Sequence, residues 1–284
     1  MGGYRVERTE DAARARDHAG PFLLARPVEH TLHLAILEQR ALGSEPGRYW
    51  SVLAEDDRVV GFALLSPLDF YAATTGMPAA AVPTLVDAIA AEVPALPGVN
   101  GEACTVAAFG GHWSERAGTA VTPLEAHRLY RLDHPPPAVG ASGALRRATG
   151  DDEQLLVAWA RAFETEIGLP YPGDIAEATR QRVAAGGLWV WDDGGPVSAV
   201  GLTPALAGVA RIHYVYTPPE RRRRGYAAAS VAAVSAHALS AGADTCALYA
   251  QLNNATSNRI YRALGYRAAM EVLFYAFGSP TSRT

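Results

Sequence analysis

The sequence predicts an α/β protein with two units in tandem, each a mixed β-sheet flanked by helices. Three observations predict it. The chain has 284 residues, which suits two domains of about 140 residues better than one. A hairpin pattern occurs twice and aligns without a gap, as YWSVLAEDDRVVGFALLSP at residues 49–67 and GGLWVWDDGGPVSAVGLTP at residues 186–204. Each copy reads short strand, acidic turn, second strand, then Ser/Thr-Pro, and acidic or glycine residues between β-rich runs signal a hairpin. Finally, several strands follow one another directly between helical stretches, so the sheet is mixed rather than wholly parallel. A duplicated fold explains the repeat; chance likeness of two common hairpins is the alternative.

The clearest break is Pro135-Pro136-Pro137, followed by Gly140 and Ser142. Consecutive prolines continue neither a helix nor a sheet ladder. This divides the chain into 1–134, a linker at 135–142, and 143–284. The second part opens on a strand at 144–148. Asp151 or Asp152 can cap a helix running to Ile167, with Leu155, Leu156, Trp159, Phe163 and Ile167 at helical spacing and Gly168 to end it. A helix at 175–185 stops at Gly186-Gly187, and the hairpin follows. Then come a β-branched, aromatic strand (209–217), a long helix (225–240), a strand (245–252), a short helix (255–264) and a last strand (271–277). The first half has a similar order. Its Cys104 is read as lying on a strand, as Cys246 does in the second half.

Hydrophobic residues make up 49% of the chain, enough for packed cores. Lys+Arg number 25 against Asp+Glu 29, a net charge of −4. That balance argues against general nucleic-acid binding, so no nucleic-acid partner is expected. The two cysteines are read as reduced core thiols, and neither they nor the eight histidines show metal-ligand spacing. His30 and His33 stand three apart with no further ligand nearby. No apolar run reaches the length of a membrane span, and the first residues lack a signal-peptide core, so a cytoplasmic protein without a membrane partner is expected. Oligomeric state is left open, a homodimer included.

Residues 215–227 read VYTPPERRRRGYA. Four arginines lie between a strand and a long helix. The first N–H groups of such a helix lack intrahelical partners and coincide with the positive end of its dipole. A phosphate or diphosphate is their natural partner. Gly225 permits unusual dihedrals and close approach, Ala227 keeps that approach clear, and arginines add charge-assisted contacts. A solvated basic turn is the plainer alternative. Farther on, Asn254 suits a helix N-cap, and Ser257 and Tyr261 stand four apart on one helical face.

Together these residues resemble the GNAT N-acetyltransferase superfamily. Arg222-Arg223-Arg224-Gly225-Tyr226-Ala227 matches its Arg/Gln-x-x-Gly-x-Gly/Ala signature. Asn254, Ser257, Tyr261 and Leu264-Gly265-Tyr266 match a second segment, and both stretches are especially similar to the FR47-like branch. The resemblance covers residues 144–277 and implies tandem GNAT-like domains, the first degenerate. Residues 72–78 of the first half, at the corresponding place, contain no arginine.

The resemblance also implies a function. Acetyl-CoA would be the co-substrate, with no metal, and the acceptor a small-molecule or peptide amine. Val215, Tyr216 and Thr217 would meet the pantetheine arm. The turn from Arg222 to Ala228, including Arg223, Arg224, Gly225, Tyr226 and Ala227, would hold the diphosphate. Asn254 would touch the pantetheine or cap its helix, and Ser257 would lie beside Tyr261, the general acid. His213 and Glu164 are candidates for the base, with Glu166 near the acceptor. His213 is placed on the same strand face as Val215, two residues on. The loop 169–174 would help select the acceptor. Alternative readings are a glycine-type N-acyltransferase using other acyl-CoAs and a non-catalytic acyl-CoA sensor.

Overall fold

The computed structural model describes residues 3–168 and 173–278. In chain order the first elements are β1 (Arg5–Thr9), α1 (Ala12–Leu24), α2 (Thr31–Leu42), β2 (Arg48–Leu53), β3 (Val59–Leu65), β4 (Ala72–Thr74), α3 (Val82–Glu92), β5 (Gly98–Glu102), α4 (Ala103–Ala117) and β6 (Val121–Leu132). They are followed by β7 (Ala144–Arg147), α5 (Glu153–Ile167), α6 (Ile175–Ala184), β8 (Leu188–Asp192), β9 (Pro196–Leu202), β10 (Val209–Tyr216), α7 (Tyr226–Ser240), β11 (Thr245–Gln251), α8 (Ala255–Ala263) and β12 (Arg267–Phe277). The strand pairing is mixed, antiparallel and parallel, and helices flank it, as the sequence predicts. Both hairpins form where their acidic turns place them, β2–β3 and β8–β9.

The chain packs as two compact units. The first holds Met1–Leu129, Gln251–Asn253 and Ala269–Thr284. Its strands β1 to β4 pair antiparallel in order, and β4 pairs parallel with β5. Trp50, Val52, Ala63 and Leu65 face α3 and α4 in a core that includes Leu85, Ile89, Phe109 and Trp113. The unit is completed by β12. Residues 272–276 of β12 pair antiparallel with 98–102 of β5. Phe277 stacks on Trp113, ring centres 5.0 Å apart. The linear division with 143–284 as one domain is therefore corrected. Alternation of apolar residues identifies β12 as a strand but not which sheet edge it fills.

Three further expectations are corrected. Cys104 is exposed on α4 rather than in a strand, because Glu102 ends β5 and caps the helix through the Cys104 and Thr105 N–H groups. Leu155 is exposed, since one helical step of about 100° takes it off the stripe led by Leu156. The segment 135–142 is more than a linker. Val139 and Ala141 pack on core side chains, and the Ser142 carbonyl accepts the Trp191 indole N–H at 2.7 Å.

In the first unit His33 is buried against Phe62 and His30, with the Ala73 backbone beside its ring. Burial, with the neighbouring His30, pushes its pKa down to about 3. The unfolded chain gains the proton near pH 6.5 and the folded chain does not. His33 therefore removes stability as pH falls from 6.5 toward 3 and is silent above 6.5. His33→Leu is expected to shrink the drop in urea midpoint between pH 7.5 and pH 4.5, measured against wild type. Half-buried His127 and His213, lowered to about 4 and about 3, keep the drop from vanishing.

The second unit holds Tyr130–Ala250 and Asn254–Ala268. Strands β7 to β10 pair antiparallel in order and β10 pairs parallel with β11. Leu156 and Ala160 of α5 cover one face with Val190 and Ala199. Val231, Val234 and Ala238 of α7 cover the other with Ala210, Ile212 and Leu248. The small residues along α7 let its backbone lie close to the sheet.

Candidate active site

Pairing between β10 and β11 covers only Val209↔Thr245, Ala210↔Cys246 and Arg211↔Ala247. Beyond Arg211 that side of β10 has no strand partner among the described residues. On its other side β10 stays paired with β9, at His213↔Gly201 and Tyr216↔Ala199, with a bulge between. Tyr214 sits within that bulge at φ +52°. This is an uncommon conformation for a bulky residue, and it resets the alternation of faces. Ile212 and Val215 both lie on the α7 side. Tyr214 and Tyr216 both lie on the α5 side, and the Tyr214 hydroxyl donates to the Leu156 carbonyl at 3.0 Å. His213 packs over Gly201, whose missing Cβ would overlap the imidazole. His213 and Val215 therefore lie on opposite faces, a correction to the two-residue spacing argument.

The open edge leads into the arginine turn. Pro219–Arg221 forms one 3-10 turn, Arg223 is left-handed at φ +64°, and Gly225 is the N-cap of α7 at φ +82°. No side chain caps this helix. The Ala229 N–H reaches the Gly225 carbonyl at 2.9 Å. The N–H groups of Tyr226, Ala227 and Ala228 precede that bond and have no partner among the described residues. The four arginines are exposed. The Tyr226 ring is buried, and its hydroxyl donates to Asp193 at 2.5 Å. Asp193 also accepts from Ser142 at 2.7 Å, and these two hydrogen bonds hold its carboxyl below the usual range. Sequence reasoning missed Asp193, which reads there as an ordinary turn residue.

Arg222 departs from the expected phosphate role. Its Nε donates to the Thr217 carbonyl at 2.8 Å, and its guanidinium holds both Glu166 oxygens, at 2.7 and 2.8 Å. Glu166 is thus an ion-pair partner. Ser198 Oγ donates to the Tyr216 carbonyl at 2.9 Å and lies 2.9 Å from the Thr217 hydroxyl. Val215, Tyr216 and Thr217 are thereby held where β10 has no partner on the β11 side.

Asn254 caps α8, its side-chain oxygen accepting the Ser257 N–H at 3.0 Å. Its carbonyl accepts from the Asn258 backbone at 3.1 Å and from the Asn258 amide at 2.8 Å. Tyr261 is buried among Tyr130 and Tyr266. Burial pushes its pKa up to about 12, while a hydrogen bond with Ser257 pulls it down. It therefore stays protonated at neutral pH. Burial, then the charges of Arg211 and Arg182, push His213 down to about 3. Glu164 is half-buried on α5. Of the acceptor loop, residues 169–172 lie outside the described residues, and Asp174 caps α6 through the Ala176 and Glu177 N–H groups.

Among the described residues no group of three or more His, Cys, Asp or Glu could hold a metal, and no helix is long and apolar enough to cross a membrane.

Residues 153–266 match the Acetyltransferase (GNAT) family. Among solved structures, a GCN5-related N-acetyltransferase from Sphaerobacter thermophilus is 19% identical, covering 96% of this chain and 95% of that one, at TM-score 0.62. A GNAT-family acetyltransferase from Colwellia psychrerythraea is 12% identical over 96% and 99%, at TM-score 0.59. A tandem GNAT protein from the clavulanic acid biosynthesis pathway is 14% identical over 98% and 100%, at TM-score 0.57. No curated protein matches. At these identities the structures speak for the fold alone. The family match, over less than half of the chain, supports the GNAT acetyltransferase superfamily for residues 153–266, and the whole-chain likenesses show the fold.

Proposed function

We propose that this protein is an acetyl-CoA-dependent N-acetyltransferase of the FR47-like branch, acting on a primary amine. The observation that carries the reading is a coincidence. The open edge of β10 and the unpartnered N–H groups of α7 adjoin along one stretch of chain, residues 212–228. An extended amide-bearing arm suits the first and a diphosphate suits the second. Residues 215–217 would hold the arm, and the N–H groups of residues 226–228 the diphosphate. Arg223 and Arg224 add positive charge, while Arg222 braces the turn against Glu166.

Bound acetyl-CoA supplies an activated thioester. The neutral acceptor amine attacks its carbonyl carbon, so that a C–N bond forms and the C–S bond breaks. The sulfur leaves with the bonding pair, and Tyr261 donates a hydrogen bond or proton to it. A strand N–H near Val215 would stabilise the developing oxyanion. The ammonium proton departs to Glu164 or to water. His213 is too weakly basic for that role, since a useful base has a pKa near working pH.

The first unit differs at the corresponding place. β4 stays paired with β5 along its whole length, and the following Met77 N–H is taken by Thr105 Oγ1 at 3.2 Å. We assign the CoA role to the second unit only.

Two measurements test the reading: calorimetric titration with CoA, and thiol release from acetyl-CoA across an amine panel. Tyr261→Phe keeps the ring that packs against Tyr130 and Tyr266. It should lower kcat by about 100-fold or more and leave CoA affinity within about twofold. Unchanged turnover would remove Tyr261 from the chemistry.

A further inference from the structure

On β11, Cys246, Leu248 and Ala250 face α7, so Ala247 and Tyr249 face the other way. On β10, Ala210 and Ile212 face α7, so Arg211 and His213 face the other way. The register Arg211↔Ala247 sets Tyr249 two residues beyond the partner of Arg211. Arg211, His213 and Tyr249 therefore share the sheet face opposite α7. They stand where β10 and β11 stop pairing.

Arg211 is half-buried in this face, and its guanidinium makes no hydrogen bond or ion pair among the described residues. The charged or polar groups that act on it are Tyr249 and Arg182 of α6. Those that act on His213 are Arg211 and Arg182. No carboxylate is among them. Taking a guanidinium partly out of water without an anionic partner is unfavourable, and arginine cannot shed its proton to escape that cost. Burial does lower the Arg211 pKa and raises that of Tyr249 to about 12, so the phenol stays protonated and able to donate. A cation and a donor with no carboxylate partner among the described residues suit an anion from outside.

Building on the acetyltransferase reading, we infer that Arg211 binds a carboxylate of the acceptor, so that the amine acetylated belongs to an amino acid or short peptide. A single planar guanidinium matches a carboxylate's two oxygens in parallel hydrogen bonds. Tyr249 adds a neutral donor, and His213 gives a neutral, flat floor over Gly201. Arg211 stands four residues before Val215 on β10, so the face that takes the carboxylate adjoins the edge assigned to the thioester. Sequence reasoning missed Arg211. The available signal was a lone arginine in a strand of apolar and aromatic residues, two positions from a histidine.

The test uses the full chain. CoA titration comes first and reports on the acetyltransferase reading alone. Thermal unfolding, with and without CoA, is then followed with glycine, alanine and glycylglycine beside their C-terminal amides, and with phosphoethanolamine beside ethanolamine. Thiol release from acetyl-CoA is measured with the same probes. Carboxylates should raise the unfolding temperature more than their amides. Their kcat/KM should exceed the amides' by about tenfold or more. Arg211→Met should erase that difference, leave CoA affinity unchanged, and raise the ligand-free unfolding temperature because a partly desolvated, unpaired charge is gone. Equal response to acids and amides in the wild type, a preference for phosphoethanolamine, or a carboxylate preference surviving in Arg211→Met would each overturn the inference. Loss of CoA binding alone would overturn the acetyltransferase reading instead, since the acid-against-amide comparison is also read without CoA.

Discussion

Ala228→Glu is expected to weaken CoA binding by about 100-fold, or about 2.7 kcal/mol, while making the protein slightly more stable. The two effects share one cause. α7 begins at Tyr226 with Gly225 as N-cap, no side-chain cap and no acid in its first turn. Ala228 is the third helical residue. A glutamate there can reach back to the N-cap N–H, as in a capping box. Its charge also suits the positive end of the dipole, worth about 0.3–1 kcal/mol. A built-in carboxylate thus takes the donors that a diphosphate would use and repels the ligand's charge. Ala228→Gln has nearly the same size without the charge and should lose far less affinity. Calorimetric titration of both variants with CoA, beside urea unfolding, separates charge from bulk. If Ala228→Glu binds CoA as wild type does, the diphosphate does not sit at the start of α7, and the functional reading loses its main support.

How far the sequence already disclosed this site varies with the range of the interaction. The turn was legible because its determinants are local. A strand end, two prolines, a glycine that takes φ +82° and the start of a small-residue helix lie within about a dozen residues of each other. Asn254 as a cap was legible for the same reason. The bulge at Tyr214 was not, because no glycine or proline marks it and the residue holds φ +52° through burial and the Leu156 carbonyl. That one unmarked residue turned the His213–Val215 argument around. Arg222 read as a phosphate ligand because its partner, Glu166, lies 56 positions away. Arg211 shows the converse: its meaning comes from what it lacks, which only a folded environment reveals.

A chain ending at Ala268 is expected to lose the first unit, while one ending at Gly278 should unfold as the full chain does. Sequence periodicity makes residues 271–277 a strand of the second half, and their packing assigns them to the first. Five residue pairs join β12 to β5, from Val272↔Glu102 to Ala276↔Gly98. Leu273, Tyr275 and Phe277 pack on the core that holds Phe109 and Trp113. Tyr275 lies so close to Gly98 and Gly110 that a Cβ at either would collide with it. A fully buried large side chain contributes about 1.5–3 kcal/mol. Removing three partly buried ones, together with buried Val272, therefore costs roughly 5 kcal/mol or more. That is comparable with the whole stability of many domains. The truncation also bares β5, whose unpaired N–H and C=O groups invite association. Near-ultraviolet circular dichroism reports on Trp50 and Trp113, both fully buried in this core. Their signal should collapse in the 1–268 chain, with aggregation on concentration, and persist in the 1–278 chain. A 1–268 chain with the full near-ultraviolet spectrum and wild-type urea midpoint would mean that β12 is dispensable to the unit it completes.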